Sequence, residues 1–571
     1  MRSKFVLRAR ILSVLFVFVA LLLVSRLYFV QIVNGEEYRE SALGQYVVEI
    51  GHNIIDRGKI FFTERDGTLV AAAVMQAGWS VAIVPKDIGE PEKMFEELSV
   101  AGEMDRERFF ASVAKLNDPY EEVAFRLSDK AADAIRAKKL PGVVLVRDQW
   151  RYYPGEELAA QTVGFVGFQG DKRVGVYGLE RSWETTLSRI SSGLYVNPFA
   201  ELFTNLETAL ASDPATREGD VITTLEPSVQ TRLEETLQGV MDTYSATFAG
   251  GIVMDPKTGA IRAMALRPAF DPNTYNTVSN PAVFPNLLVE GIYEMGSIMK
   301  PLTVAAGIDA GAITPASTYV DRGCIEKSGK TICNYDKKAR NRVSMQEVLS
   351  QSLNLGVSHI VDQMGHTNFG EYIHAYGLGE KTGIELPNEA TGNIRAIDEG
   401  YDVDYASAGF GQGIAVSAIG MTRALATLAN EGVLPNPHVV SGVRFESGIT
   451  RSVEPEEGRR VLKEETVDTT TRMLVKVFDE ALLGGILKQE HYSIAAKTGT
   501  AQIAVPGGSG YYPDRYLHSF FGYFPAHDPK FIVFLYTYEP KGVEFASASL
   551  ARPFLEVAKH LINYYNIPPD R

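Results

Sequence analysis

Two cysteines, Cys324 and Cys333, are all the thiol chemistry this 571-residue sequence has. No histidine lies close to them, so they make no zinc site, and the nine histidines show no other metal-ligand spacing. Neither a metal nor a cofactor is expected. Basic charge is also scarce. Lys and Arg number 56 against 70 Asp and Glu, a formal net charge of −14, and four of the cations, Arg2, Lys4, Arg8 and Arg10, crowd the first ten residues. The remainder has no basic patch able to neutralise phosphates, which excludes nucleic acid as a partner. Long apolar runs are missing beyond the N-terminal segment, so no later stretch can span a bilayer.

The N-terminal segment itself is different. From Ile11 to Val24 it is apolar apart from Ser13, and it continues through Leu27-Tyr28-Phe29-Val30 past Arg26. A helix of roughly twenty such residues spans the hydrocarbon core, and Arg26 near its outer end can snorkel to the headgroups. The basic residues before it put the N-terminus in the cytoplasm and everything after it outside. A cleaved signal peptide would need small residues at its cleavage site, whereas Leu23-Val24-Ser25-Arg26-Leu27 is bulky, so an uncleaved single-pass anchor is expected. Beyond it, Cys324 and Cys333 flank two short strands around a Ser328-Gly329 turn. Outside the cytoplasm they form a cross-strand disulfide or stay as two thiols. The length calls for two or three domains, and 45% hydrophobic with 22% charged residues is ordinary globular composition.

The chemistry gathers at Tyr293-Glu294-Met295-Gly296-Ser297-Ile298-Met299-Lys300, which opens a helical pattern. Three residues apart on a helix, the Ser297 hydroxyl and the Lys300 amine share a face and come within hydrogen-bond reach. An amine held neutral by burial and neighbouring cations can take the serine's proton, which makes the pair a candidate acyl-transfer engine. The same spacing occurs at Ser112 and Lys115, in a charged amphipathic helix without polar partners nearby, and there it reads as a solvated helix face. What sets Ser297 apart is order: Ser352-Leu353-Asn354 follows it, and then Lys497-Thr498-Gly499-Thr500. Lys-Thr-Gly also occurs at Lys257-Thr258-Gly259 and Lys381-Thr382-Gly383, both read as turns or loops. Lys497 lies between small apolar residues, from Ser493-Ile494-Ala495-Ala496 to Ala501-Gln502, as in a strand edge against which a substrate backbone can lie.

Ser-x-x-Lys, Ser-x-Asn and Lys-Thr-Gly in that order resemble the signature of the penicillin-binding proteins and serine β-lactamases. Three further motifs resemble the pedestal of class B penicillin-binding proteins: Arg57-Gly58-Lys59-Ile60, Arg151-Tyr152-Tyr153-Pro154 with its continuation to Gly167, and Gly175-Val176-Tyr177-Gly178-Leu179-Glu180. Arg57, Arg151 and Glu180 are suited to locking separate segments together by paired charges. Between anchor and catalytic domain there is no room for a glycosyltransferase domain, so class B is favoured over class A. Two departures stand out. A longer run, Phe61 to Gly67, follows the first motif, and Met295 stands where the family commonly has proline, so a looser turn into the helix is expected.

The resemblance implies an α/β (α+β) transpeptidase fold, an antiparallel sheet flanked by helices, preceded by a β-rich pedestal and one transmembrane helix. The division it suggests is 1–10 cytoplasmic tail, 11–32 anchor, 33–217 pedestal and 218–571 transpeptidase domain. Strands are expected at Gly219 to Glu226, Phe248 to Met254 and Ala260 to Ala265, with a helix at Ser228 to Tyr244. Ser297, at the N-terminus of a central helix, would be the nucleophile and Lys300 its base. Ser352 and Lys497 would pass the proton on, and Asn354 would grip the donor amide. Thr498, Gly499 and Thr500 would hold the terminal carboxylate, and the backbone N–H groups of Ser297 and Thr500 would form the oxyanion hole. The implied reaction is cross-linking of peptidoglycan stem peptides from a D-alanyl-D-alanine donor, blocked covalently by β-lactam antibiotics. Implied partners are a multi-spanning glycosyltransferase and division-complex membrane proteins, and the implied place is the bacterial cytoplasmic membrane, with the catalytic domain outside. The short tail and the Glu294-x-Gly296-Ser297 approach look more like the division-type than the elongation-type protein. A β-lactamase or carboxypeptidase would not need anchor plus pedestal, and a non-catalytic scaffold would not need all five polar residues intact.

Overall fold

The computed structural model describes residues 56–189 and 218–571, apart from 101, 103, 171, 446, 508 and 509, and a few helical positions between 18 and 26. Most of the expected anchor, 11–32, therefore lies outside the described residues. Among the described residues no helix is long and apolar enough to cross a membrane. Two compact units emerge, one containing residues 77–150 and the other 57–76, 151–188 and 211–571.

In the first unit the second half of the long strand Leu69–Ile83 pairs antiparallel with Glu121–Leu127. Three helices, Pro91–Ser99, Arg106–Val113 and Asp129–Lys138, bury Leu98, Phe109 and Ile135 with Val81, Ile83 and Val123. Asp105 and Ser128 cap two of them by accepting the N–H of Arg108 and Ala131. Ser112 corrects the sequence reading. It is 4% exposed, and its hydroxyl donates to Glu121 at 2.9 Å, with Lys115 paired to the same carboxylate. Ser112 lies on the inner side of its helix, so this Ser-x-x-Lys is a buried structural contact rather than a solvated face.

The second unit holds a five-stranded antiparallel sheet in the order Ala495–Ala504, Tyr511–Phe524, Phe531–Tyr538, Phe248–Met254, Ile261–Arg267. Its strands are apolar on both faces, which is what a sheet covered by helices on both sides requires. Alternation decides which core each residue enters. Phe520, Phe524, Val533 and Leu535 pack with Val229, Leu233 and Leu237 of helix Pro227–Tyr244 and Leu550, Phe554 and Leu561 of helix Ala546–Tyr564. Phe521, Tyr523, Phe534 and Tyr536 face the larger core on the other side, which includes Ile298, Met299 and Leu302. Strand Ala495–Ala504 ends the sheet, so one of its edges has no strand partner among the described residues.

A second sheet region joins Ile60–Thr63 in parallel to Gly219–Thr223, which pairs antiparallel with Val440–Phe445. The long run after the first pedestal motif is a tight turn, Glu64 N–H to Thr68 O at 2.9 Å. Beside it the three pedestal motifs meet in one buried cluster. Glu180, 0% exposed, accepts Arg57 Nε and Arg151 Nε at 2.6 Å each, one on each carboxylate oxygen. Arg57 also reaches the Glu180 carbonyl and Glu184, and Arg151 Nη1 reaches Gly58 O. Burial alone would raise the Glu180 carboxyl, but the guanidiniums of Arg151 and Arg57 outweigh it and hold it below the ordinary value.

Candidate active site

Gly296–Met299 forms a 3-10 turn that runs directly into the α-helix Lys300–Asp309, so Ser297 sits one turn ahead of the α-helix instead of in it. The cause is Pro301. It has no N–H to give to the Ser297 carbonyl, and Lys300 N–H takes that carbonyl in an i to i+3 bond. Residues i and i+3 eclipse in such a turn, so Ser297 and Lys300 fall on the same side. Gly296 has φ +64°, and its N–H donates to Gly411 O at 3.0 Å. Met295 does not loosen the entry. It is 1% exposed, and its carbonyl accepts the Ser519 hydroxyl at 2.8 Å.

The edge strand crosses this turn at Gly499. A Cβ there would lie 2.3 Å from Ser519 Oγ and 2.6 Å from Met295 O, so only glycine lets the strand come this close to the nucleophile's turn. Lys497, two residues earlier, is 3% exposed, and its amine donates to Ser352 Oγ at 3.1 Å and to Thr498 O at 3.0 Å. Lys300 is fully buried and donates to Ser352 O at 2.5 Å, Ser352 Oγ at 3.2 Å and Asn354 Oδ1 at 2.8 Å. Ser352 thus receives both lysines. It holds φ +56°, a left-handed conformation that costs a non-glycine residue on the order of 1–3 kcal/mol.

These two amines have no carboxylate within ion-pair distance among the described residues. Burial pulls Lys300 well below the ordinary lysine value, and the neighbouring Lys497 pulls it further. Burial brings Lys497 itself down to about 7. Among the described residues the half-exposed Ser297 hydroxyl makes no hydrogen bond, so the amine beneath it spends its bonds on Ser352 and Asn354.

Ser297, Ser352, Asn354, Lys497, Thr498 and Thr500 all line one cleft of about 1110 Å³. The Thr500 hydroxyl accepts the N–H of Ala546, the first residue of helix Ala546–Tyr564, which leaves its proton to donate into the cleft. The other two Lys-Thr-Gly triplets are elsewhere. Lys257 is exposed and paired with Asp528 at 2.6 Å, while Lys381 is exposed beside a Thr382 that donates to Glu389.

Of the two states the sequence left open for the cysteines, the structure has the cross-strand disulfide, Cys324 to Cys333. Cys333, Tyr335 and Phe545 line the cleft with Gln412 and Gly413. Tyr511 donates to Glu294 at 3.0 Å, and burial raises that carboxyl above its usual value. Tyr511 and Glu294 lie 217 residues apart, a meeting that no local spacing encodes.

Comparison with known proteins places the chain in a family. Residues 249–561 match the penicillin binding protein transpeptidase domain, and residues 55–196 match the penicillin-binding protein dimerisation domain. Stage V sporulation protein D of Bacillus subtilis is 28% identical over 97% of this chain and 85% of its own length. A peptidoglycan D,D-transpeptidase FtsI homolog of Mesostigma viride is 28% identical over 78% of each chain. In fold, penicillin binding protein 3 from Mycobacterium tuberculosis, solved in complex with aztreonam, matches 91% of this chain and 98% of its own with a TM-score of 0.68 at 22% identity. With its transpeptidase domain preceded by a dimerisation domain, the chain belongs to the penicillin-binding protein transpeptidase family.

Proposed function

We propose that the protein is a serine-type peptidoglycan D,D-transpeptidase with Ser297 as nucleophile. The observation that carries this is one cleft lined by Ser297, Ser352, Asn354 and Lys497, with the buried Lys300 bonded to Ser352 and Asn354, neither amine having a carboxylate partner among the described residues. Burial and the neighbouring Lys497 favour the neutral form of the Lys300 amine, which can then accept the Ser297 proton. Ser297 Oγ attacks the carbonyl of the penultimate D-alanine, and its proton passes to Lys300. The tetrahedral oxyanion sits against the backbone N–H groups of Ser297 and Thr500. Ser352, which already accepts from both lysines, relays a proton to the leaving amine, and D-alanine departs. The amine of a second stem peptide then attacks the acyl-enzyme, its proton returns through the same groups, and the cross-link is complete.

Substrate binding follows from the same parts. The edge strand offers backbone groups to the donor peptide, Asn354 its amide, and Thr498 and Thr500 with Lys497 a seat for the terminal carboxylate. A β-lactam presents the same carboxylate and a strained amide, and so acylates Ser297 without an easy exit. In the cell the domain works outside the cytoplasmic membrane, held by a single helix over 11–32 whose basic N-terminal flank stays inside. The relatives named for FtsI support a septal role, beside a multi-spanning glycosyltransferase and division-complex membrane proteins.

The test is covalent labelling by a fluorescent penicillin. Ser297→Ala is expected to abolish it in protein whose circular dichroism is unchanged. Undiminished labelling of the folded variant would overturn the assignment. For the cellular role, depletion is expected to give filaments with unfinished septa, and rounded cells would argue for elongation instead.

A further inference from the structure

The disulfide hairpin does more than line the cleft. Cys324–Lys327 and Lys330–Cys333 form a two-stranded sheet that pairs with no other strand among the described residues, and Cys324 and Cys333 face each other at its open end. A two-stranded hairpin alone is marginally stable in water, and here the covalent link adds to the packing of Ile325 and Ile332 on the core in holding the end from which the chain enters the site. Immediately there, the main-chain carbonyl of Cys333 accepts Asn354 Nδ2 at 2.9 Å. The next residue, Asn334, is 1% exposed. It accepts Leu355 N–H at 3.2 Å and donates to both oxygens of Asp321 at 2.9 and 3.0 Å. The hairpin's end is therefore docked onto the first turn of helix Asn354–Met364.

A carboxamide has one acceptor end and one donor end, and turning it over exchanges them. Asn354 gives its donor end to Cys333 O and its acceptor end to Lys300 Nζ at 2.8 Å. Without the carbonyl, the Lys300 bond to Oδ1 is left alone to oppose the half-turn that would place an NH₂ group against that amine. Lys497 acts on Lys300 from the edge strand, and the cleft in front of it is lined by Asp404 and Glu544 and by Lys330 and Lys337.

We propose that Cys333 is a positioning residue of the active site, its carbonyl held by the Cys324 disulfide so that the Asn354 amide presents oxygen to Lys300 and nitrogen away from it. The proposal rests on the reading of Ser297 as nucleophile and Lys300 as base. It gives the disulfide a role in acylation beyond closing a loop. Opening the bond frees the carbonyl, misdirects the group that grips the donor amide, and removes an acceptor from Lys300. Loss of an acceptor disfavours the ammonium form, so the acidic limb of the acylation rate moves to lower pH.

The experiment uses the full chain in detergent. Dithiothreitol reduces the disulfide by thiol exchange, two electrons and two protons passing to give two cysteine thiols while the reagent closes to a cyclic disulfide. A parallel sample treated with iodoacetamide counts the thiols by mass. The acylation rate with fluorescent penicillin is then measured from pH 5 to 9, beside a thermal melt, for oxidised, reduced and re-oxidised protein and for the double variant Cys324→Ser, Cys333→Ser. The expected result is a rate ten- to a hundredfold lower per folded molecule in the reduced protein and the variant. The acidic limb is expected at lower pH, and the rate should be regained on re-oxidation of the wild type. An unchanged rate with an unchanged limb, or a loss of rate that only tracks loss of folded protein, overturns the proposal. Failure of the oxidised wild type to become acylated on Ser297, read by peptide mass, would instead sink the underlying mechanism.

Discussion

Two of the buried charged clusters among the described residues are built on opposite plans. Around Glu180, one carboxylate sits between two guanidiniums, each bonded to its own oxygen. Around Ser352, two amines converge on one hydroxyl with no anion between them. Burial is nearly complete in both places, at 0% exposure for Glu180 and Lys300. In the first the opposite charges stay charged and hold three segments together. In the second, burial lowers both amines and the like charge lowers Lys300 further, which favours neutral amines suited to the proposed role of base. Complementary charge in the interior makes structure, and uncompensated like charge in the interior makes reactivity.

This contrast can be broken by crossing the readouts. The largest effect expected is on catalysis. Lys497→Ala should slow penicillin acylation a hundredfold or more, with little change in melting temperature. It should also move the acidic limb of the rate to higher pH, because Lys300 loses the neighbour that lowers it. A Lys497→Ala protein that melts early and acylates normally would reverse the roles of the clusters.

Next comes Glu180→Gln, which leaves two buried guanidiniums facing a neutral amide. It should cost about 3–5 kcal/mol of stability by denaturant titration, while the acylation rate per folded molecule stays near wild type.

The pH dependence of stability sharpens the comparison further. Glu180 is depressed in the folded state, so its contribution is present above the unfolded carboxylate value and lost as pH falls below it. Lys497 has a folded value of about 7, below that of an unfolded lysine, so the folded state binds fewer protons and stability climbs from pH 7 towards about 10.4. Melts across that alkaline window should show a shallower climb in Lys497→Ala, where Lys300 keeps its own share, and the full climb in Glu180→Gln. The smallest effect is reserved for the decoys: Lys257→Ala and Lys381→Ala should each stay within about 0.5 kcal/mol of wild type and acylate normally.

Legibility in the sequence followed the range of the interaction. Ser297 and Lys300 are three apart and could be read from spacing. Ser352, Asn354 and Lys497 could be read only because three short motifs keep an order. The strands Phe248–Met254 and Ile261–Arg267 and the helix Pro227–Tyr244 announce themselves by apolar runs with turn residues between them. The 3-10 turn was legible in principle, since Pro301 four residues after Ser297 forbids the α-type bond. Ser112 was misread because a polar residue on a charged helix gives no hint that it faces inward to Glu121. The Cys333 carbonyl and the Ser519 hydroxyl were beyond reach. Backbone groups have no letter in the sequence, and Ser519 meets Met295 across 224 residues.

The open edge of strand Ala495–Ala504 has one more consequence. A sheet that stops there is one strand short, and an unsatisfied edge ordinarily invites another chain of the same protein. In the proposed cycle the incoming stem peptide is that missing strand, bound through a backbone that every peptide shares. Such a rail accepts almost any extended chain, so discrimination has to come from its end, where the terminal carboxylate meets Thr498 and Thr500. The enzyme reads the last letter of its substrate and is nearly blind to the rest of the word.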